Sequence, residues 1–130
     1  MSLAYVDSSA LVKLVVREPE SDALRRYLAS AGPLASSILA TVEVSRAVAR
    51  VAPDAGADAA GLFEGLNVLA LDARIAARAA TLSPAGLRTL DAIHLATALE
   101  LRDDLTAFVS YDDRLSSAAR ELGLPTVAPI

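Results

Sequence analysis

The chain has 130 residues, 54% of them hydrophobic, and a mean hydropathy of +0.43; this is the length of one domain and too apolar for disorder. No stretch of about 20 residues runs free of charge, so no membrane span is expected, and the lack of cysteine excludes disulfides, thiolate metal sites and a cysteine nucleophile. A formal net charge of −4 speaks against a broadly basic surface for nucleic acid, unless several acids gather in one site and leave the remaining surface near neutral.

The first residues, up to Asp7, lack the basic segment and long apolar stretch of a secretion signal, so a cytoplasmic location is expected. Residues 3–6 are a short apolar run that reads as a buried strand. Ser8 or Ser9 is placed to cap a helix over residues 10–16, which Glu18-Pro19 ends. A second helix is predicted over residues 21–31, with Gly32-Pro33 as its stop, followed by a short strand at 34–36. Ser37 or Thr41 opens a third helix to about Val51, and Asp54 caps another to about Gly65. A strand is expected at 67–71, then a helix capped by Asp72, then a loop at Ser83-Pro84-Ala85-Gly86. Residues 90–101 read as a strongly apolar helix, 107–110 as a fourth strand, 114–122 as a last helix ended by Gly123, and 126–128 as a final strand. Short apolar strands alternating with helices give an α/β domain with a parallel sheet of at most five strands, covered on both faces.

In such sheets ligands bind beyond the carboxyl ends of the strands, where strand order reverses. Asp7 directly follows the first strand, and Asp112, with Asp113 beside it, comes two residues after the fourth. Asp91 starts an apolar helix, and Glu43 sits between Val42 and Val44. Taken singly, each has a structural alternative: Asp7 and Asp91 as helix caps, Asp112 as a turn residue. Together they point elsewhere. Buried carboxylates need partners, and the only lysine, Lys13, cannot pair with all of them. A shared divalent cation would, and oxygen-only ligands select Mg2+ or Mn2+ over zinc. Such a cluster, with the hydroxyls of Ser9 and Ser110 alongside, suits phosphodiester hydrolysis.

The residues that suggest this chemistry also carry a resemblance. Tyr5-Val6-Asp7-Ser8-Ser9-Ala10-Leu11-Val12-Lys13, then Glu43-Val44, then Leu90-Asp91-Ala92-Ile93-His94-Leu95-Ala96-Thr97-Ala98, then Phe108-Val109-Ser110-Tyr111-Asp112-Asp113-Arg114-Leu115 resemble, in order, the blocks of PIN-domain proteins. The Leu90–Ala98 block is the most specific, the likeness covers residues 1–130 as one PIN domain, and the size resembles that of VapC-type toxins of bacterial toxin–antitoxin pairs. The resemblance implies a five-stranded parallel sheet in the order 3-2-1-4-5 and a Mg2+- or Mn2+-dependent endoribonuclease. It also implies a homodimer and inhibition by a cognate antitoxin. It assigns Asp7, Glu43, Asp91 and Asp112 as catalytic, metal-binding acids and Ser9 and Ser110 as supporting hydroxyls. Asp113 departs from the family's usual basic or polar residue there and is expected behind Asp112, in a second layer.

His94, the only histidine, reads as a packed, hydrogen-bonded helix residue rather than a ligand. Arg46 and Arg50 follow Glu43 at helical spacing; they are candidates for RNA or antitoxin contact, against an ordinary pairing of Glu43 with Arg46. With two Phe and three Tyr scattered along the chain, a stacking platform for single-stranded bases is not expected. A receiver domain would need a lysine after the last strand, and a haloacid-dehalogenase-type phosphatase an Asp where Ser9 stands. The alternative that survives is a PIN-like module that binds RNA or protein with little turnover.

Overall fold

The computed structural model describes residues 2–130. Five parallel strands, β1 (Leu3–Val6), β2 (Leu34–Ser37), β3 (Asn67–Leu69), β4 (Leu105–Val109) and β5 (Thr126–Val127), form one sheet in the order β3-β2-β1-β4-β5. Helices α1 (Ser8–Val15), α2 (Ser21–Ala29), α3 (Ile38–Val51), α4 (Gly56–Glu64), α5 (Ala73–Ala80), α6 (Thr89–Glu100) and α7 (Asp113–Glu121) connect them. This is the predicted class and strand order.

The period-2 alternation of the central strands divides the core. Ala4 and Val6 of β1 and Ala107 and Val109 of β4 face one cluster, filled by Leu11, Leu24, Val44 and Val48 from α1, α2 and α3. Tyr5 and Phe108 face the other, with Leu95 and Leu99 of α6 and Leu115 and Ala119 of α7. Their rings stack with centroids 5.2 Å apart. Small residues at Ala4, Ala10, Ala40 and Ala107 let the helices lie close on the sheet.

Two helix starts differ from the sequence reading, for physical reasons. Asp7, not Ser8 or Ser9, is the N-cap of α1: its side chain accepts the Ala10 N–H, which places both serines in the first turn. Asp54 caps nothing, because Pro53 opens a 3-10 turn (Pro53–Ala55) that carries Asp54 inside it, and α4 begins at Gly56 without a side-chain cap. Ser37 caps α3 and Asp72 caps α5 as expected. Strand β3 stops at Leu69 rather than 71, because its only partner, β2, ends at Ser37 opposite it.

One further contact fixes the end of the sheet where the acids gather. Lys13, 7% exposed, pairs with Glu18 at 3.0 Å and Glu20 at 3.3 Å, and its ammonium lies 4.7 Å from the Tyr111 ring centroid. Tyr111 donates its N–H to Ser9 Oγ and its hydroxyl to the Pro129 carbonyl. Helix α1, the loop after it, the end of β4 and the last residues of the chain are thereby tied together.

Candidate active site

Strands β1 and β4 are neighbours, and each delivers a polar residue immediately past its carboxyl end: Asp7 and Ser110. Asp7 is only 2% exposed. Its Oδ1 accepts from Ser9 Oγ at 2.7 Å and from the Ala10 N–H at 3.0 Å, while its Oδ2 accepts from Ser110 Oγ at 2.5 Å. Burial raises the Asp7 pKa above the usual carboxylate range; the hydrogen bonds from Ser110, Ser9 and Ala10 and the nearby His94 oppose this without cancelling it. Among the described residues no Lys or Arg pairs with Asp7. The carboxylate is well hydrogen-bonded and short of positive charge.

Asp112 is the N-cap of α7. Its Oδ1 accepts the N–H groups of Arg114 and Leu115, both at 3.0 Å, and its own N–H donates to Ser110 Oγ. That leaves Oδ2 uncommitted to the cap, and Arg88 Nη2 stands 3.7 Å from it. The same guanidinium reaches Asp91 Oδ2 through Nε at 3.3 Å. Asp91 is not a cap: Arg88 holds the N-cap position of α6, and Asp91 lies within the first turn. Capping and a second role therefore exclude each other at neither Asp7 nor Asp112, since a carboxylate has two oxygens and a cap occupies one.

Glu43 enters from α3, half-buried. Its Oε1 accepts from Ser8 Oγ at 2.6 Å and lies 2.6 Å from His94 Nε2. Burial is the largest influence and pushes its pKa up, but hydrogen bonds from His94 and Ser8 outweigh it and hold the carboxyl below its ordinary value. The other imidazole nitrogen, Nδ1, lies 2.6 Å from the fully buried Tyr5 hydroxyl. Burial, then the charge of Asp7, keeps Tyr5 protonated far above its usual range. The phenol thus donates to Nδ1, which leaves Nε2 to carry the proton that Glu43 accepts. His94 is the packed, bonded histidine that the sequence suggested.

The remaining predicted residues lie further out. Arg46 and Arg50 are exposed along α3, and neither pairs with Glu43, whose bonds go to Ser8 and His94. Asp113, the first residue of α7, lines a neighbouring cavity of about 390 Å3 together with Arg88, Asp91, Arg114 and Glu121. Sequence reasoning passed over Ser8, Tyr5 and Arg88. Tyr5 reads as an ordinary core residue, whereas Arg88 at three residues before Asp91 carried a readable ion-pair spacing.

Three of the four acids are linked through shared partners, and Glu43 is bonded to residues that neighbour the others along the chain. Ser110 joins Asp7 to Asp112, Arg88 joins Asp112 to Asp91, and Ser8 and His94 join Glu43 to the helices that carry Asp7 and Asp91. As the side chains stand, no three Asp, Glu or His residues among those described are arranged to hold a metal ion. The donor chemistry nevertheless suits a hard divalent cation: the candidate ligands are all carboxylates, and one of them, Asp7, is buried without a Lys or Arg partner among the described residues.

Comparison with known proteins identifies the family and the fold. The PIN domain family model matches residues 4–121. Ribonuclease VapC46 of Mycobacterium tuberculosis is 50% identical over 129 residues, covering 99% of each chain, and Ribonuclease VapC47 is 46% identical over 132 residues, covering 98% of this chain and 97% of the relative. Among solved structures, M. tuberculosis VapC20, described as a sarcin-ricin loop cleaving toxin, superposes with a TM-score of 0.78 at 20% identity, covering 98% of this chain and 100% of that one. A toxin–antitoxin complex from Klebsiella pneumoniae gives 0.76 at 22% identity, covering 98% of each chain. At those identities the structures speak for the fold.

Proposed function

Because the chain belongs to the PIN-domain family, and within it to the VapC type, we propose that it is an RNA-cleaving toxin: a Mg2+- or Mn2+-dependent endoribonuclease inhibited by a cognate antitoxin. The observation that carries this reading is the buried, under-compensated Asp7 at the junction of β1 and β4, linked through Ser110 and Arg88 to Asp112 and Asp91.

Asp7, Asp91, Asp112 and Glu43 would hold the metal, which when bound activates water and neutralises charge on the phosphoryl oxygens. The chain's own groups do the positioning. Ser9 and Ser110 fix the Asp7 carboxylate from both sides, and the Ala10 N–H completes the grip. Ser8 and His94 fix Glu43. Glu43 is a charge and a ligand rather than a general base, since its pKa is held low, the wrong direction for accepting a proton near neutral pH. Arg46 and Arg50 present positive charge along α3 to an RNA phosphate or an acidic antitoxin segment.

Cleavage of structured RNA in Mg2+ or Mn2+ tests the proposal. Asp7→Asn should reduce cleavage to background, as should EDTA. Cleavage that continues unchanged in EDTA overturns the metal mechanism, and tight RNA binding with no cleavage at any metal concentration favours the binding-module alternative.

A further inference from the structure

Arg88 makes ion pairs with two of the four acids at once. On Asp112 it stands at Oδ2, the oxygen that the helix cap leaves over, and on Asp91 it also takes Oδ2. We infer that Arg88 is a tethered counter-ion that occupies the metal ligands Asp91 and Asp112 and must turn away before a divalent cation binds, an inference that rests on the function proposed above.

Three features support a swinging side chain. The Arg88 side chain is 60% exposed, so little burial opposes its turning away. Arg88 lies in an N-cap position without a side-chain cap bond, so its movement costs the helix no hydrogen bond. The cavity beside it has room, about 390 Å3, and two carboxylates in its wall, Asp113 and Glu121, to receive the released charge. The result is a pair of discrete arrangements. In one, Arg88 neutralises Asp91 and Asp112; in the other, the metal does so and Arg88 lies among Asp113 and Glu121. A ligand shifts such an equilibrium only through its different affinity for the two states, and here the difference is direct competition for the same oxygens. The second acid after β4 then has a role: Asp113 offers the landing place rather than a metal contact.

Metal affinity, read without catalysis, tests this. Free Mn2+ measured by electron paramagnetic resonance gives the dissociation constant for the wild type and variants. Arg88→Met keeps the aliphatic stem and removes the competitor, so it should bind Mn2+ about three- to tenfold more tightly, the scale of exposed ion pairs. Arg114→Met removes the same charge from the same cavity wall without touching an acid through its guanidinium, and should change affinity far less. The double variant Asp113→Asn with Glu121→Gln should weaken Mn2+ binding in the wild type and have a smaller effect in the Arg88→Met background. Equal affinities in the wild type and Arg88→Met overturn the inference while leaving the proposed function intact, as does an equal gain in Arg88→Met and Arg114→Met. Failure of every protein, wild type included, to take up Mn2+ overturns both.

Discussion

Asp7 shows what burial does to a single side chain. Its pKa is raised in the folded chain, so between the ordinary carboxylate range and that raised value the native state binds more protons than the unfolded chain. Stability of the metal-free protein must therefore fall as pH rises through that window, at no more than about 1.4 kcal/mol per pH unit. Melting temperatures in EDTA should be higher at the acid end of the window than near neutrality. Asp7→Asn should flatten this slope and melt at an equal or higher temperature than wild type at neutral pH. Glu43, whose pKa is depressed, acts in the opposite sense: its contribution is present above the ordinary carboxylate range and lost on acidification below it. At the same scale, Tyr5→Phe removes the donor that fixes the His94 tautomer. Nitrogen chemical shifts of His94 should then lose the single Nε2–H form, at a stability cost of about 1 kcal/mol.

Among the elements, helix starts are where sequence and structure part company. An acid ahead of an apolar run is a good cap signal, and Asp72 obeys it, but Asp54 follows Pro53, whose fixed backbone angle starts a tighter turn first. Asp7 and Asp112 were legible as acids at strand ends because the position beyond a parallel strand is dictated by topology. Their simultaneous use as caps was not, because a sequence does not say which carboxylate oxygen points where. Tyr5, and the reach of Arg88 to Asp112, were missed for the same reason: those partners sit on other elements, whereas the spacing of Arg88 to Asp91 was there to be read. Mutation separates the two uses. Asp112→Ala removes the cap of α7 and should cost about 1 kcal/mol, whereas Asp112→Asn keeps an accepting oxygen and should cost much less. Asp91→Ala breaks only a pair with the exposed Arg88 and should stay within about 0.5 kcal/mol. All three should abolish cleavage, so the melting curves, not the activity, tell cap from ligand.

At the scale of the molecule, the sheet order and its covered faces were readable from alternating strands and helices plus the family blocks, and Asp7 and Ser110 of the proposed site lie just past the carboxyl ends of β1 and β4, where that order reverses. The surface leaves a question of assembly. Ile38 and Val42 lie one turn apart on α3, 44% and 55% exposed, and Leu90 at the start of α6 is 46% exposed. Apolar side chains of this size at helical spacing are suited to a two-fold contact. We propose a homodimer, and light scattering at micromolar concentration should give twice the monomer mass. Val42→Lys should yield monomer if α3 is the contact, and an unchanged mass would place the interface elsewhere.

The burial of Lys13 has a practical consequence. It is the chain's only lysine, and the folded structure shields its amine between Glu18, Glu20 and the face of Tyr111. Acylating reagents and amine cross-linkers therefore find no accessible lysine on the native protein, and immobilisation through lysine fails unless the fold opens. The defect becomes a probe. The rate at which Lys13 is acylated, followed by peptide mass, reports how often α1 and the end of β4 separate. Because that junction also carries Asp7, Ser9 and Ser110, slower acylation on adding Mn2+ would measure the rigidity that an occupied site imposes on its own scaffold.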